Sequence, residues 1–392
     1  MPSHIAHMLF GRDAIRHSND KILNKIIEKH PNIFNLGCQG PDIFYHNKRT
    51  KPSGIKFGIL LHHERYGRFV SNYLRILGES VCLPRNHTLG GFNLEKSFSF
   101  ILGFITHAIL DRRAHPFISF FAGWVDPSRP ETKKYFMCHA FFERIIDVLL
   151  LKEKLNINIK EFDFFSRIYC GNSFPKHEKE IFFRALKHTF PETVSKEDIT
   201  RIENAYIDSM RYYDISNPIF PKLKMELERY DFDREVKLRR LALLHPLNLD
   251  EEIDFLNTNH TTWSHPCDSH DTSNKSFDEL YNAAIKDTTG TLKLISKTYK
   301  LIKEHYERLH SQNTPPNKHF TCRHSRKTKR FLHKLYREIH KIEKKIGNHD
   351  LDTPRPELTR CTPKHSRPLP LGEILDKMYR ELKTPKEQKH HN

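Results

Sequence analysis

Between His107 and Glu143 the chain sets out two pairs of metal-ligand side chains at helical spacing, His107 with Asp111 and His139 with Glu143. A separation of four brings two side chains onto one face of a helix, one turn apart. The intervening residues are apolar: Ala108, Ile109 and Leu110 in the first pair, Ala140, Phe141 and Phe142 in the second. Imidazole and carboxylate groups on otherwise buried helices are costly unless something pairs with them. An ion pair would satisfy either couple singly. Both together are better satisfied by a divalent cation, and mixed histidine and carboxylate ligands suit zinc.

Other regions can contribute to the same chemistry. His115 follows Asp111 by four and precedes Pro116. His7 lies in Ser3-His4-Ile5-Ala6-His7, with His4 read as neighbouring surface. Asp42 sits in Gly40-Pro41-Asp42-Ile43-Phe44-Tyr45, a Gly/Pro-bent loop. His62 and His63 lie in Leu61-His62-His63-Glu64; either can serve, with His62 favoured and His63 pointing outward. A late cluster runs from His260 to Pro266, where His265 is read as structural. Arg112 and Arg113 can clamp a phosphate, although an exposed basic turn is the commoner outcome. Phe117, Phe120, Phe121 and Trp124 form either core or an apolar lip for acyl chains.

The elements that position these residues read as helices. Apolar steps of three and four predict helices over Asp13 to His30, ended by Pro31, and over Phe57 to Leu77, capped by Gly78. The most apolar helix is expected from Leu94 to Ala114, closed by His115-Pro116, because the residue before proline avoids the helical region. Thr132 to Lys154, Ser195 to Tyr213, Pro221 to Leu244 and Ser276 to His310 follow. Alternating Val/Ile/Thr strands are nearly absent. The fold class is therefore all-α, a multi-helix bundle that builds a metal site in its core from facing helices.

The chain has 392 residues, 37% of them hydrophobic. Mean hydropathy is −0.66. No run of eighteen apolar residues occurs, so no transmembrane helix is expected. The first residues lack the basic-then-apolar layout of a secretory signal, and a cytoplasmic location is the expectation. Seven scattered cysteines form no Cys-x-x-Cys pair, which predicts free thiols. Cys138, beside His139, is read as a small core thiol rather than a ligand.

The charge is uneven. Ser311 to Asn392 holds 20 Lys and Arg against 9 Asp and Glu, and so carries +11 of the net +17. Two parts are expected, a helical domain over 1–310 and a basic, Pro-interrupted, partly helical or disordered tail over 311–392. Thr314-Pro315-Pro316 breaks the chain between them. Phe320 to Ile346 reads as an amphipathic basic helix, Asp352 to Pro370 as a Pro-rich linker and Leu371 to Leu382 as a short helix. The tail helix can lie on an anionic membrane surface, or pack its apolar stripe on the bundle. Nothing in it reads nucleic-acid bases. The dipeptides His270-Asp271 and His349-Asp350 lack partner histidines and do not make an HD-type phosphohydrolase.

The run His7, Gly40 to Tyr45, Leu61 to Glu64, Gly103 to Asp111 with His115-Pro116, and His139…Glu143…Asp147 resembles the zinc-dependent phospholipase C family. Trp263-Ser264-His265-Pro266 and Ser276 to Tyr281 resemble its C-terminal segment. The resemblance covers about 1–310. It implies an all-α fold with two or three zinc ions. By position, His7 would bind one ion, Asp42, His62 and His107 a second, and Asp111 would bridge these two. His115, His139 and Glu143 would hold a third, with Asp147 as an outer partner of the imidazoles. Cations sharing carboxylates lower the pKa of a bridging water and neutralise phosphate charge. The implied activity is hydrolysis of a phospholipid headgroup by a metal-activated water, with Asp42 as general base. Two other readings keep the metals: a trinuclear-zinc nuclease, and a non-catalytic, metal-stabilised membrane-associated or scaffold protein.

Overall fold

The computed structural model describes residues 4–82, 93–310, 325–358 and 361–383. Among these residues there are fifteen α-helices and one two-stranded sheet, an antiparallel hairpin of Trp263–His265 and Asp268–Ser273. The bundle is built around α6 (Leu94–Ala122), buried along almost its whole length. Packed on it are α1 (His4–His17), α3 (Pro31–Cys38), α5 (Tyr66–Ser80), α7 (Cys138–Leu155) and α13 (Phe277–His310). The closest approach is between α3 and α6. A Cβ at Gly103 would lie 2.3 Å from the Phe34 carbonyl oxygen, so only glycine allows the two backbones this near. No helix among the described residues is long and apolar enough to cross a membrane.

Several of the expected helices are divided or shifted in the structure. Asp13 to His30 is two helices, α1 and α2 (Lys21–Lys29). Asn19 adopts a left-handed φ of 53°, and the Asp20 side chain accepts from the Ile22 and Leu23 amides. Pro31 begins α3 rather than merely ending its predecessor. Arg65, with φ 57°, divides Phe57 to Leu77 into α4 (Ile55–His63) and α5. Gly78 lies inside α5, where a Cβ would meet Leu335 at 2.3 Å. Thr132 to Lys154 opens with a 3-10 turn, and α7 starts only at Cys138.

One expected break is missing. α6 runs through His115-Pro116 to Ala122. A proline inside a helix costs about 3 kcal/mol. Here Phe117, Phe120 and Phe121 are buried on the far side of it, and their packing outweighs that cost. These rings are core, not an acyl lip. As a result His107, Asp111 and His115 lie one turn apart along a single continuous helix.

The basic extension is joined to the bundle. Its helix Arg326–Ile346 packs on α5 and α13 and buries Phe331, Leu335, Ile339, Ile342 and Ile346. Phe331 stacks on His305 with ring centroids 3.9 Å apart. The lysines and arginines point outward. The apolar stripe is thus turned into the protein and not toward a bilayer. Phe320 and the Thr314-Pro315-Pro316 break lie outside the described residues. Further on, Arg367 and Leu369 donate their amides to the Phe120 and Phe121 carbonyls. Cys361 is bonded to Cys267 of the hairpin, so these two cysteines are not the free thiols expected.

Leu335→Ala should destabilise the protein by about 2–5 kcal/mol, the usual cost of emptying a fully buried leucine site. Denaturant unfolding measures this. A stability equal to wild type would show that the extension helix does not dock.

Candidate metal centre

The first cluster draws on four elements. His7 comes from α1, Asp42 from a 3-10 turn (Gly40–Phe44), His62 from α4, and His107 and Asp111 from α6. The turn is held open by Gly40, whose φ is 56° and where a Cβ would press on the His107 ring at 2.4 Å. Asp111 lies between two imidazoles, with Oδ1 3.1 Å from His7 Nε2 and Oδ2 3.0 Å from His107 Nε2. Asp42 lies between two as well, 2.9 Å from His62 Nε2 and 3.6 Å from His107 Nε2. All five residues are buried. One donor atom each from His7, Asp42, His107 and Asp111 falls within 4.8 Å of all the others.

The hydrogen bonds on the far side of the rings fix what these atoms are. His62 Nδ1 is 2.8 Å from the Gly58 carbonyl, and His107 Nδ1 is 3.1 Å from that of Cys38. A carbonyl only accepts, so each Nδ1 carries a proton, and in the neutral ring each Nε2 presents a lone pair. Those lone pairs face carboxylate oxygens. His107 Nε2 and Asp42 Oδ1 are buried, and although imidazole and carboxylate atoms approach them to about 3 Å they are not aligned as hydrogen bonds. Acceptors converging on acceptors are stable only with positive charge between them. Protons supply part of it in the metal-free chain. Burial opposes the charging of His7, but Asp111 and Asp42 outweigh it and raise its pKa. Burial likewise opposes ionisation of Asp42, yet His107 and His62 hold its carboxyl at about 2. A divalent cation among His7, Asp42, His107 and Asp111 supplies that charge, and the donor set fits zinc.

The second cluster is His115 on α6 with His139 and Glu143 on α7, again within 4.8 Å. His139 Nε2 lies 3.3 Å from Glu143 Oε1, while His139 Nε2 and Glu143 Oε2 are buried with no hydrogen bond. The His139 side chain as a whole is 29% exposed. Glu143 is close enough to help raise the pKa of His7, so the two clusters share one electrostatic neighbourhood.

Each candidate ligand of the sequence reading is therefore found in one of two adjoining groups. His62 enters the first; His63 turns away and meets Asp350 Oδ2 at 2.9 Å. Other side chains take different roles from those expected. His4 is buried beside Phe164, Tyr212 and Tyr213 rather than exposed. Asp147 is bonded to the start of α1. Its carboxylate accepts from the His4, Ile5 and Ala6 amides at 3.1, 3.0 and 2.7 Å, and so caps α1 from α7 and places His7. Arg144 and His245 also hold it. Arg112 clamps no phosphate: it donates to the Ile346, Gly347, His349 and Asp350 carbonyls of the extension. Arg113 pairs with Asp287 at the surface. His265 is structural, bonded to Thr353. Sequence reasoning missed Asp350 and Asp352, which lie beside His63 and His115. Their only signal was a pair of acids in a basic, Pro-rich stretch.

A bundle with buried histidine and carboxylate clusters on facing helices defines a metal-dependent class of protein. Residues 6–198, which hold all eight candidate ligands, match the family described as zinc dependent phospholipase C. The two clusters suit the family's zinc as a multi-ion site. No curated protein and no solved structure matches the chain.

His107→Ala and Asp111→Ala should each lower bound zinc and thermal stability, because the ligands tie helices together. Elemental analysis and thermal unfolding read both, and wild-type zinc in both variants would refute the assignment. Asp147→Ala should cost about 3–5 kcal/mol by leaving Arg144 buried without its partner. A loss below 1 kcal/mol in denaturant unfolding would deny it that role.

Proposed function

We propose that the protein is a zinc-dependent phosphodiester hydrolase acting on phospholipid headgroups. The observation that carries this reading is the buried set His7, Asp42, His62, His107 and Asp111, whose imidazole lone pairs and carboxylates converge on common points. When bound, divalent ions supply a water of lowered pKa and positive charge against the phosphoryl oxygens. The chain's own groups prepare the site. The Gly58 and Cys38 carbonyls fix the tautomer and angle of His62 and His107. Asp111, between His7 and His107, is the carboxylate placed to be shared.

Asp42 would accept the proton of the attacking water. Against the pull of burial, its carboxyl is held low by His107 and His62 in the metal-free chain. It can serve only a water already made acidic. Nor is it on a free loop, since both oxygens face imidazoles. The expected anionic-membrane contact of the extension rests on charge alone, on the outward Lys and Arg of Arg326–Ile346.

One observation favours the non-catalytic reading: residues 350–352 of the extension lie against His62, His63 and His115. The decisive assay is headgroup release from phospholipid vesicles by the zinc-loaded full chain, beside Asp42→Asn. Wild-type turnover lost by at least 100-fold in the variant, with helicity unchanged by circular dichroism, is expected from loss of a positioned base. Full zinc content without turnover would select the non-catalytic reading.

A further inference from the structure

Two of the histidines in the first cluster are oriented in the same way. His62 and His107 each spend Nδ1 on a backbone carbonyl and leave Nε2 for the site. His115 is held differently. Its Nδ1 lies 2.7 Å from Oδ1 of Asp352, a residue outside the span matched by the family and belonging to the C-terminal extension. With Nδ1 taken, Nε2 is the nitrogen left to a metal ion.

We propose that Asp352 is a positioning residue for the metal ligand His115, so that the extension completes the second half of the metal centre. This rests on reading His115, His139 and Glu143 as metal ligands. A carboxylate accepting from the far nitrogen of a histidine fixes its tautomer and ring angle and makes the ligating nitrogen more basic. A negatively charged acceptor does this more strongly than a peptide carbonyl.

The arrangement is built, and is not the chance contact of a loose tail. Leu351, the residue before Asp352, donates its amide to the His62 carbonyl at 2.7 Å. Arg112, on the helix that carries His115, holds the His349 and Asp350 carbonyls at 2.9 and 3.2 Å. Asp350 meets His63 Nδ1 at 2.9 Å and accepts the Asp352 amide at 2.9 Å. On the other side, Thr353 Oγ1 is 3.0 Å from His265 Nε2. The carboxylate of Asp352 is thus fixed from both neighbours, while its own side chain stays 48% exposed. Its replacement empties no core site.

The test is zinc binding by the full chain, read as stoichiometry by elemental analysis and as affinity by chelator competition. It compares wild type, Asp352→Ala, Asp352→Asn, Asp352→Glu, His115→Ala and the double variant His115→Ala/Asp352→Ala. Asp352→Ala should weaken one ion by about 10–100-fold and leave the others at wild-type affinity. Asp352→Glu should recover most of that loss. Asp352→Asn, which keeps an acceptor without its charge, should fall between; it is the deciding variant if alanine lowers helicity. The double variant should bind no more weakly than His115→Ala, because a residue acting through another adds nothing once that one is gone. Wild-type affinity for every ion in both Asp352→Ala and Asp352→Asn overturns the proposal. So does further weakening in the double variant, which would make Asp352 a direct ligand. If His115→Ala removes no ion from the wild type, the metal-ligand reading of the second cluster fails, and this inference with it.

Discussion

Two carboxylates, Asp42 and Asp111, are buried together against imidazole nitrogens whose protons are committed elsewhere. Such a group of acceptors is unstable in a low-dielectric interior unless a cation joins it. The surrounding architecture follows from that constraint. α6 supplies two of the five members, and α1, α4 and the 3-10 turn must each bring one more to the same point. Gly40 and Gly103 allow the backbones close enough. Asp147 ties the first turn of α1 to α7, so that His7 arrives in register.

The uninterrupted course of α6 matters equally. Because the helix does not stop at Pro116, His115 continues the stripe of His107 and Asp111 and reaches α7, where His139 and Glu143 wait one turn apart. The aromatic packing beyond Pro116 sustains those last turns. Those rings are spent on core packing and keep His115 on the helix that faces α7.

The extension changes character once its packing is seen. Its helix is amphipathic and basic, a pattern that suits a membrane surface or a protein groove equally well. The groove between α5 and α13 takes the apolar stripe. From there the chain passes over His62, His63 and His115, is clamped by Arg112, and is cross-linked to the hairpin through Cys361 and Cys267. The extension is structural in the same sense as the bundle helices, with its charge displayed outward.

Local pattern alone determined much of this. Helical periodicity gave the all-α class, and four-residue spacing put His107 with Asp111 and His139 with Glu143 on shared helix faces, because that geometry lies within a single turn. The order of His7, Asp42 and His62 ahead of them carried the family resemblance. The break at Arg65 and the continuity through Pro116 were not legible. Each is settled by which partner lies opposite, and partners come from distant elements. The same holds for Arg112, which reads as a phosphate clamp until the carbonyls of 346–350 occupy it. It holds most for Asp352, whose sequence distance from His115 hides a 2.7 Å contact. Spacing within a helix is written in the chain, whereas contacts between elements exist only after the whole core has closed.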